Sequence, residues 1–552
     1  MNSLMKKFVV FFTLLLHLGY QATSAPKASK DKVDRPKLVV GIVIDQMRWD
    51  YLYRFNDRYG KDGFKRLLRE GFSCENHYIN YLPSATAVGH SSIYTGSVPG
   101  IHGITGNSWV DQLTGKTVYC TEDNTVQTVG SAAATEGQMS PRNMLASTIT
   151  DELRIATNKQ SKVVGVSLKD RASILPAGHM ANGAFWFDDE SGNFITSTFY
   201  MPTLPEWVQN FNKQQRAAEF MKQPWQTLYP INTYKNSDED AKAYEGRLPS
   251  ETTTTFPHNL PAAYAKKKDA FRTTPHGNTF ILDFASAAVN GYSMGQGEAT
   301  DFLTINCAST DYVGHMFGPN SIEIEDTYLR LDQDLAKFFK FLDSEVGKGQ
   351  YLVFLTADHG VGHAIGYSQE NKLNGGNWNS KPVQAELNKM LASTFGAENL
   401  VRSMSSYQVH FDWDQIAAKK LDIDLIKKAV IAKLQMEPEV MYAVDMGNAN
   451  AHLVPFTIRE QIANSYNPKR TGSIQILLKP GYVATTSKTG ASHGAWNPYD
   501  THLPLLFMGW NIKPGSTNMP TYMTDVAPTL AALLHIQTPN GTVGKPITAV
   551  VK

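Results

Sequence analysis

The sequence predicts an α/β protein with a mostly parallel central sheet sandwiched by helices. Short apolar runs, each followed by a polar residue, are typical of buried parallel strands, and they occur at 37–44 (KLVVGIVI), 302–307 (FLTINC) and 351–355 (YLVFL). A helical repeat of apolar residues at 324–342 separates the last two runs. Strands that alternate with helices in this way favour a parallel sheet covered on both faces.

Further segments continue the same alternation. We expect a helix around 63–69 and strands at 163–167 (VVGVS) and 503–508 (LPLLFM). Pro504 is compatible with the last of these because it falls at the start of the strand, where a missing N–H is tolerated. The segments extend over most of the chain, so we expect one large core rather than a row of separate domains.

Two stretches depart from the alternation and are predicted to be insertions in a catalytic domain of residues 26–552. Residues 187–275 are polar, aromatic and rich in Thr, Pro and Asn, with little periodicity, and we expect an inserted cap there. Residues 381–472 combine strand-like segments at 407–412 and 440–444 with an amphipathic helix at 424–434. This second stretch is predicted to be a compact α+β insertion.

Composition excludes several classes of protein. The 552 residues include 52 Lys and Arg against 51 Asp and Glu, so the chain lacks the basic excess of a nucleic-acid or membrane-surface binder. A hydrophobic fraction of 42% and an aromatic fraction of 11% exclude a disordered or fibrous chain. We therefore expect a globular protein with neither duplex nucleic acid nor a membrane as partner. The sequence leaves the oligomeric state open, and we favour a monomer.

The N-terminal residues 1–25 are predicted to be an export signal. Lys6 and Lys7 precede an apolar run at 8–16, and the small residues 22–25 form a cleavage region. A membrane anchor needs about 20 apolar residues, and this run is shorter. The mature protein is accordingly expected in the periplasm or outside the cell, where Cys74 and Cys120 are able to pair and leave Cys307 odd. The sequence leaves that connectivity open.

Residues able to bind metal follow the predicted strands. The carboxyl ends of parallel strands are where α/β folds build their sites, and four polar residues follow predicted strands there: Asp45, Lys169, Asp311 and Asp358. One turn of helix would place Asp311 and the residue four positions later on one face. Together with a histidine in a Gly-rich loop, these oxygen and nitrogen donors suit one or two Zn²⁺ ions: Asp45, Asp311, His315, Asp358, His359 and His493.

Four more residues are candidates for binding an anion. A Pro-Ser turn before a small-residue helix would place Thr86 at the helix N-terminus, where free N–H groups favour negative charge. Asn107, in HGITGNSW, has an amide that is able to donate to an anionic oxygen. Lys169 and Arg171 follow the strand at 163–167, and an extended chain would send both to the same side.

These motifs in this order resemble the alkaline phosphatase superfamily. The likeness is closest to the phosphate-irrepressible alkaline phosphatases of the bacterial periplasm, which use a threonine nucleophile. It spans about residues 36–545. The motifs that carry it are the strand before Asp45, the Thr86 helix, Asn107, Lys169-x-Arg171, Asp311-x-x-x-His315, Asp358-His359, His493 and DVAPTLAALL at 525–534.

The resemblance implies a phosphoric monoester hydrolase with two Zn²⁺ ions per chain. Asp311, His315 and His493 would hold one ion, whereas Asp45, Asp358 and His359 would hold the other together with the Thr86 oxygen. Thr86 would attack phosphorus and form a phosphothreonine, while Asn107, Lys169 and Arg171 would bind the phosphoryl oxygens. In this branch the lysine is similar in role to a third metal ion, so no Mg²⁺ site is expected.

Two other functions remain open at this point. A nucleotide pyrophosphatase/phosphodiesterase of the same superfamily would share the six ligands, Thr86 and Asn107, but would not be expected to have the Lys169-x-Arg171 pair. A non-catalytic binding protein on the same fold would be expected to have lost a ligand or Thr86, and this chain has them all. Sulfatases of the superfamily need a Cys or Ser within C-x-P-x-R, and no cysteine here has that context.

Overall fold

The protein is described by a computed structural model that covers residues 33–551. Its strands, numbered β1 to β21 in chain order, are Leu38–Ile44, Phe72–Cys74, His77–Tyr78, Ser108–Val110, Thr117–Tyr119, Thr128–Val129, Val163–Val166, Gly183–Asp188, Asn193–Ser197, Asp301–Cys307, Tyr351–Thr356, Gly376–Asn377, Val401–Ser405, Gln408–Phe411, Val440–Asp445, Ile474–Leu478, Tyr482–Val483, His502–Leu503, Leu505–Gly509, Gly515–Thr517 and Thr521–Tyr522. The predicted export signal, residues 1–25, lies outside the described residues.

Helices connect most of these strands. The α-helices are Tyr51–Arg54, Phe64–Glu70, Thr86–Thr95, Pro99–His102, Ile149–Ala156, Asp170–Ala177, Glu206–Asn212, Arg216–Phe220, Leu260–Lys266, His276–Gly291, Ser309–Phe317, Ile322–Leu342, Ile365–Glu370, Ser380–Phe395, Trp413–Ala418, Ile423–Leu434, Phe456–Ser465, Pro498–Thr501, Val526–Leu534 and Thr548–Val551. Short 3-10 turns occur at Asn56–Arg58, Ile231–Thr233, Lys268–Thr273, Met446–Ala451 and Met523–Asp525, and a π-turn at Asp343–Gly347.

A ten-stranded mixed sheet forms the centre of the unit that begins at Pro36. Its order is β20-β2-β19-β11-β1-β10-β7-β8-β9-β6. The five consecutive strands from β11 to β8 run parallel, whereas β19 on one side and β9 on the other are antiparallel to their neighbours. The strands β1, β10 and β11 are buried along their whole length. Burial on both faces explains why their sequences are continuous apolar runs rather than alternating patterns.

Helices cover both faces of this sheet. Asn306, near the end of β10, contacts His90 of the helix Thr86–Thr95, with 3.2 Å between Nδ2 and Nε2. The next residue, Cys307, points to the opposite face, and Tyr328 of the long helix Ile322–Leu342 lies near it. The helices and the sheet share one large apolar cluster. The α/β architecture expected from the sequence is therefore present.

The strand register brings the candidate site residues together. Ile44 pairs with Cys307, and Val43 pairs with Thr356, so β1, β10 and β11 end at nearly the same level. The residues just beyond these ends are Asp45, Ala308 and Ala357. A site at this edge of the sheet follows directly from the register, as expected for parallel strands.

The last predicted strand differs in detail. The segment 503–508 is divided at Pro504: Leu503 belongs to β18, which pairs with β3, while β19 begins at Leu505 and joins the large sheet. Proline has no N–H to donate, so the ladder is interrupted at this position. The Pro504 carbonyl instead accepts a hydrogen bond from Thr356 Oγ1 at 2.7 Å.

A second, antiparallel sheet has the order β13-β14-β16-β15 and its own apolar cluster with the helices Ser380–Phe395 and Ile423–Leu434. We propose this region as the α+β insertion, with its end moved from 472 to about 478 because β16 supplies a strand of the sheet.

The proposed cap begins after β9 rather than at 187, since residue 187 lies within β8 of the large sheet. Its helices include Glu206–Asn212 and Leu260–Lys266.

The structure also describes the three cysteines and the helices that were considered as membrane spans. Cys74, Cys120 and Cys307 are all buried, and each is an unpaired thiol. Within residues 33–551, no helix has both the length and the apolar content needed to cross a membrane.

Candidate active site

Six candidate metal ligands gather in two clusters at the carboxyl edge of the parallel strands. In each cluster, three possible ligand atoms lie within 4.8 Å of one another. One cluster consists of Asp45, Asp358 and His359, and the other consists of Asp311, His315 and His493. This grouping coincides with the two ligand sets that the family resemblance implies.

The first cluster is fully buried. His359 Nε2 lies 3.6 Å from Asp45 Oδ1 and 3.5 Å from Asp358 Oδ2. Both of those carboxylate oxygens lack a hydrogen-bond partner among the described residues. An unpaired carboxylate oxygen is costly in a buried site, so a cation between these atoms fits the donors that are present.

The second cluster combines a helix with a loop. Asp311 and His315 lie one turn apart on the helix Ser309–Phe317, with 3.2 Å between Oδ1 and His315 Nε2. His493 Nε2 reaches the same carboxylate oxygen at 3.9 Å from a loop that follows β17. The His493 ring also stacks on the ring of His359, with centroids 3.5 Å apart, so the two clusters adjoin.

The orientation of each histidine ring is fixed by its outer nitrogen. In all three rings Nδ1 lies within hydrogen-bonding distance of a backbone carbonyl, which only accepts, so Nδ1 carries the proton and Nε2 is left as a lone-pair donor. Metal-binding histidines are commonly held in this way. The pairs are His315 with Ala491 at 2.8 Å, His359 with Gly360 at 2.9 Å and His493 with Ser84 at 2.7 Å.

Electrostatics favour ligation by two of the three histidines, whereas at His315 the effect of burial is outweighed by Asp311, which raises the pKa of that ring. Burial lowers the pKa of His359 and of His493, which keeps both rings neutral and available as donors. Burial, followed by the neighbouring Asp45 carboxylate, raises the pKa of Asp358 well above its usual range. Burial opposes ionisation of Asp311 as well, but the Lys169 ammonium outweighs it and holds the pKa of that carboxyl well below its ordinary value. Carboxylates crowded together in this way are stabilised by added positive charge.

Lys169 connects the two clusters. Its Nζ lies 2.9 Å from Asp45 Oδ2 and 2.6 Å from Asp311 Oδ2, and its side chain is buried. Burial lowers the pKa of Lys169, but Asp311 and Asp45 more than reverse the effect and raise it above the ordinary value. The ammonium group is therefore a fixed positive charge between the clusters.

Thr86 is the first residue of the helix Thr86–Thr95. The preceding residue, Ala85, has an extended backbone and caps nothing with its side chain. The Thr86 side chain is buried, and its Oγ1 lies 3.5 Å from His359 Nε2. The hydroxyl thus stands between the helix N-terminus and the first cluster.

Asn107 lies beside the start of the Thr86 helix, and Arg171 lies on the helix Asp170–Ala177, which packs against the Thr86 helix. Asn107 Oδ1 accepts a hydrogen bond from the Ala87 N–H at 2.9 Å, which places the Asn107 amide beside the start of the Thr86 helix. Arg171 does not lie in an extended segment, so that expectation is wrong. Lys169 precedes the helix Asp170–Ala177 and Arg171 falls in its first turn, where the Nη1–H donates to the Tyr119 hydroxyl at 3.1 Å.

The sequence reasoning missed a residue that touches both clusters. Gln46 follows Asp45 with a positive φ of 65° and is buried. Its backbone N–H donates to Asp358 Oδ1 at 3.2 Å, and its Nε2 donates to Asp311 Oδ1 at 2.7 Å. Gln46 follows the same strand as Asp45, but its left-handed backbone, on which these contacts depend, has no signature in the sequence.

Comparison with known proteins defines the class to which this fold and site belong. The family model of the type I phosphodiesterases/nucleotide pyrophosphatases matches residues 39–502. The chain therefore belongs to that family, within the alkaline phosphatase superfamily.

Individual relatives place it more narrowly. The chain is 54% identical to alkaline phosphatase PafA of Elizabethkingia meningoseptica over 97% of this chain and 96% of the relative. It is 52% identical to alkaline phosphatase PhoV of Synechococcus elongatus, over 96% of both chains. The crystal structure of wild-type PafA superposes with a TM-score of 0.92 and covers 94% of this chain and 100% of the solved one. These findings confirm the resemblance, the fold class and the prediction of an alkaline-phosphatase-type hydrolase.

Proposed function

We propose that this chain is an alkaline phosphatase that hydrolyses phosphate monoesters through Thr86 and a phosphothreonine intermediate. One observation carries the proposal: Thr86 Oγ1 stands at the N-terminus of its helix, 3.5 Å from His359 Nε2, where the two ligand clusters adjoin. A hydroxyl in this position has an anion site on one side and ligands for cations on the other.

The donor set supports two Zn²⁺ ions, one per cluster. Each cluster mixes carboxylate oxygen with imidazole nitrogen, which suits zinc better than magnesium or calcium. When bound, such ions supply positive charge that favours ionisation of a nearby hydroxyl and neutralises the attacking and leaving oxygens. No separate Mg²⁺ is proposed, because the Lys169 ammonium already lies between Asp45 and Asp311.

The residues of the chain have separate roles in the proposed reaction. Thr86 Oγ passes its proton to solvent and attacks phosphorus. The bond to the leaving oxygen breaks as the Thr86 O–P bond forms, and the leaving oxygen takes up a proton from solvent. A water molecule then attacks the phosphothreonine, releases inorganic phosphate and returns a proton to Thr86. Asn107, Lys169 and Arg171 hold the non-bridging oxygens, since positioning and electrostatic stabilisation provide most of the catalysis in phosphoryl transfer.

Phosphodiester hydrolysis is the second candidate, and the name of the matching family favours it. The charges beside Thr86 argue for the monoester. Lys169 and Arg171 add two cationic groups to the ligand clusters, and a dianionic monoester benefits more from them than a monoanionic diester does. A purely binding role is disfavoured because all six ligands and Thr86 are present.

A solved variant of the relative adds support for the four polar residues. The crystallised PafA mutant carries substitutions at a threonine, an asparagine, a lysine and an arginine. The intervals between them along that chain equal those between Thr86, Asn107, Lys169 and Arg171. That variant supports treating these residues as one functional set.

The substrate is proposed to be a small phosphate monoester, with no nucleic-acid duplex or membrane as partner and with a monomeric chain. We further propose that residues 1–25 direct export, so that the enzyme acts in the periplasm or is secreted. With two Zn²⁺ bound, the ligand clusters together with Lys169 and Arg171 would carry a local positive charge that attracts an anion, although the net charge of the chain is nearly neutral.

The stereochemical course at phosphorus tests the intermediate. Hydrolysis of a monoester made chiral with oxygen isotopes should give net retention, because two in-line displacements each invert the configuration. Inversion would show direct attack by water and would overturn the role of Thr86 as nucleophile.

A further inference from the structure

Tyr119, at the end of β5, connects the phosphate-binding arginine to the protein. The Tyr119 hydroxyl accepts a hydrogen bond from Arg171 Nη1–H at 3.1 Å and donates one to Asp170 Oδ1 at 2.9 Å. Both partners lie in the first turn of the helix Asp170–Ala177. The phenol thus bridges two consecutive residues of that turn from a separate hairpin.

The direction of these hydrogen bonds is determined by their chemistry. A carboxylate only accepts, so the phenolic proton points at Asp170 and the oxygen lone pairs are left for the guanidinium. Thr121 Oγ1 donates to the other oxygen of Asp170 at 2.5 Å and holds that carboxylate in place. Burial, and then the Asp170 charge, raise the pKa of Tyr119, so the phenol stays protonated at alkaline pH.

The same segment also holds Asn107. The Cys120 N–H donates to the Asn107 carbonyl at 3.0 Å, while Asn107 Oδ1 accepts from the Ala87 N–H beside Thr86. Residues 119–121 therefore contact two of the proposed phosphate-binding residues, one through a side chain and one through the backbone.

The Arg171 side chain needs such support. Arg171 is half-buried, and its Nε has no hydrogen-bond partner within the described range. An arginine has a long flexible stem, and its planar fork binds an oxyanion well only when it is held at the correct angle. A hydrogen bond from the fork to a rigid tyrosine restricts that angle before the substrate arrives.

We propose that Tyr119 is a positioning residue that orients Arg171 toward the phosphoryl group, and that it thereby contributes to the preference for monoesters over diesters. The inference rests on the proposed function, because it assigns a phosphate-binding role to Arg171. Tyr119 itself touches Arg171 and Asp170 rather than the reacting atoms.

The test is Tyr119→Phe in the zinc-loaded, full-length mature enzyme, with matched aryl phosphate monoester and diester substrates. Removal of the hydroxyl should lower kcat/KM for the monoester about tenfold and weaken competitive inhibition by inorganic phosphate by a similar factor. The diester should change less than about twofold, since it depends less on the arginine. Tyr94→Phe is the matched control, because Tyr94 is buried and its hydroxyl has no hydrogen-bond partner among residues 33–551.

A double-mutant cycle with Arg171→Ala separates positioning from a general structural effect. In the Arg171→Ala background, Tyr119→Phe should cost almost nothing, because the group that it orients is already gone. Full additivity of the two losses would overturn the inference, and so would an equal loss for monoester and diester. If Arg171→Ala alone leaves monoester turnover unchanged, the proposed role of Arg171 fails instead. The two failures are therefore distinguishable.

Discussion

Lys169 Nζ lies 2.6 Å from Asp311 Oδ2, and this contact joins the proposed phosphate site to one of the two ligand clusters. The same nitrogen lies 2.9 Å from Asp45 Oδ2 in the other cluster. A single buried ammonium group therefore pairs with one carboxylate of each cluster. This position supports the proposal that no separate Mg²⁺ is bound.

Replacement of Lys169 by alanine should therefore impair monoester hydrolysis strongly. We expect kcat/KM for an aryl phosphate monoester to fall by about two to three orders of magnitude, as is usual when a preorganised charge is removed from a transition state. Diester hydrolysis should fall by a smaller factor. Steady-state kinetics on both substrates measure the effect, with zinc content determined on the same samples. Equal losses for the two substrates would count against the proposed charge matching.

Thr86→Ala should remove nearly all turnover and leave the metal bound. The six Asp and His ligands are unchanged in this variant, so zinc should remain close to two ions per chain, while kcat falls by at least about a thousandfold. Elemental analysis and a phosphate-release assay measure the two quantities. Thr86→Ser keeps a hydroxyl and should retain far more activity than Thr86→Ala. Turnover by the alanine variant at the wild-type rate would mean that another group is the nucleophile.

Gln46→Leu should weaken metal binding without touching a proposed ligand. The substitution removes the side-chain donor to Asp311 Oδ1 but leaves the backbone N–H that reaches Asp358. Loss of a hydrogen bond to a ligand typically costs 10- to 100-fold in metal affinity, so we expect about that change. Competition with a chelator of known affinity measures it, and the ion held by Asp311 should leave first. Unchanged zinc retention would show that Gln46 does not support the site.

A buried histidine in the proposed cap should make stability depend on pH. His258 Nδ1 lies 3.0 Å from Glu251 and its Nε2 lies 3.0 Å from Glu323, and these carboxylates outweigh burial and raise the pKa of His258 to about 9. Because the folded-state pKa exceeds the unfolded value near 6.5, the stabilisation is complete below about pH 6.5 and is lost as the pH rises through about 9.

The free energy of unfolding by urea should therefore differ between wild type and His258→Asn by a pH-dependent amount. We expect this difference to shrink by about 3 kcal/mol between pH 6 and pH 10, in the zinc-loaded enzyme, because a pKa difference of one between the folded and unfolded states corresponds to about 1.4 kcal/mol. The packing lost in the variant contributes equally at both pH values, so only the charge effect changes. A difference that grows with pH would show that His258 is buried in its neutral form.

Much of the fold was accessible from the sequence, because its strongest signals are buried parallel strands. The runs at 37–44, 302–307 and 351–355 correspond to β1, β10 and β11, and the helical repeat at 324–342 lies within Ile322–Leu342. The antiparallel direction of β19 was not accessible, since a buried strand has the same apolar pattern in either direction. Pro504 similarly divides a run that looks continuous in the sequence.

The site was partly accessible for a related reason. Asp45 and Asp358 lie just beyond strand ends, and Asp311 and His315 have helical spacing, so their positions follow from local rules. Gln46 and Tyr119 contact residues that are distant in the chain. The direction of the Arg171 side chain is set by the start of the helix Asp170–Ala177, where the sequence analysis predicted an extended segment. Such contacts depend on tertiary packing, which one sequence alone does not reveal.

We propose that the charges around Thr86 select phosphate monoesters. The most direct test is the ratio of kcat/KM for an aryl phosphate monoester to that for the diester with the same leaving group, measured on the purified zinc enzyme at alkaline pH. The proposed function predicts a ratio far above one, which falls sharply when Lys169 and Arg171 are both replaced by alanine. A ratio below one in the wild-type enzyme would contradict the proposal and would instead support the phosphodiesterase.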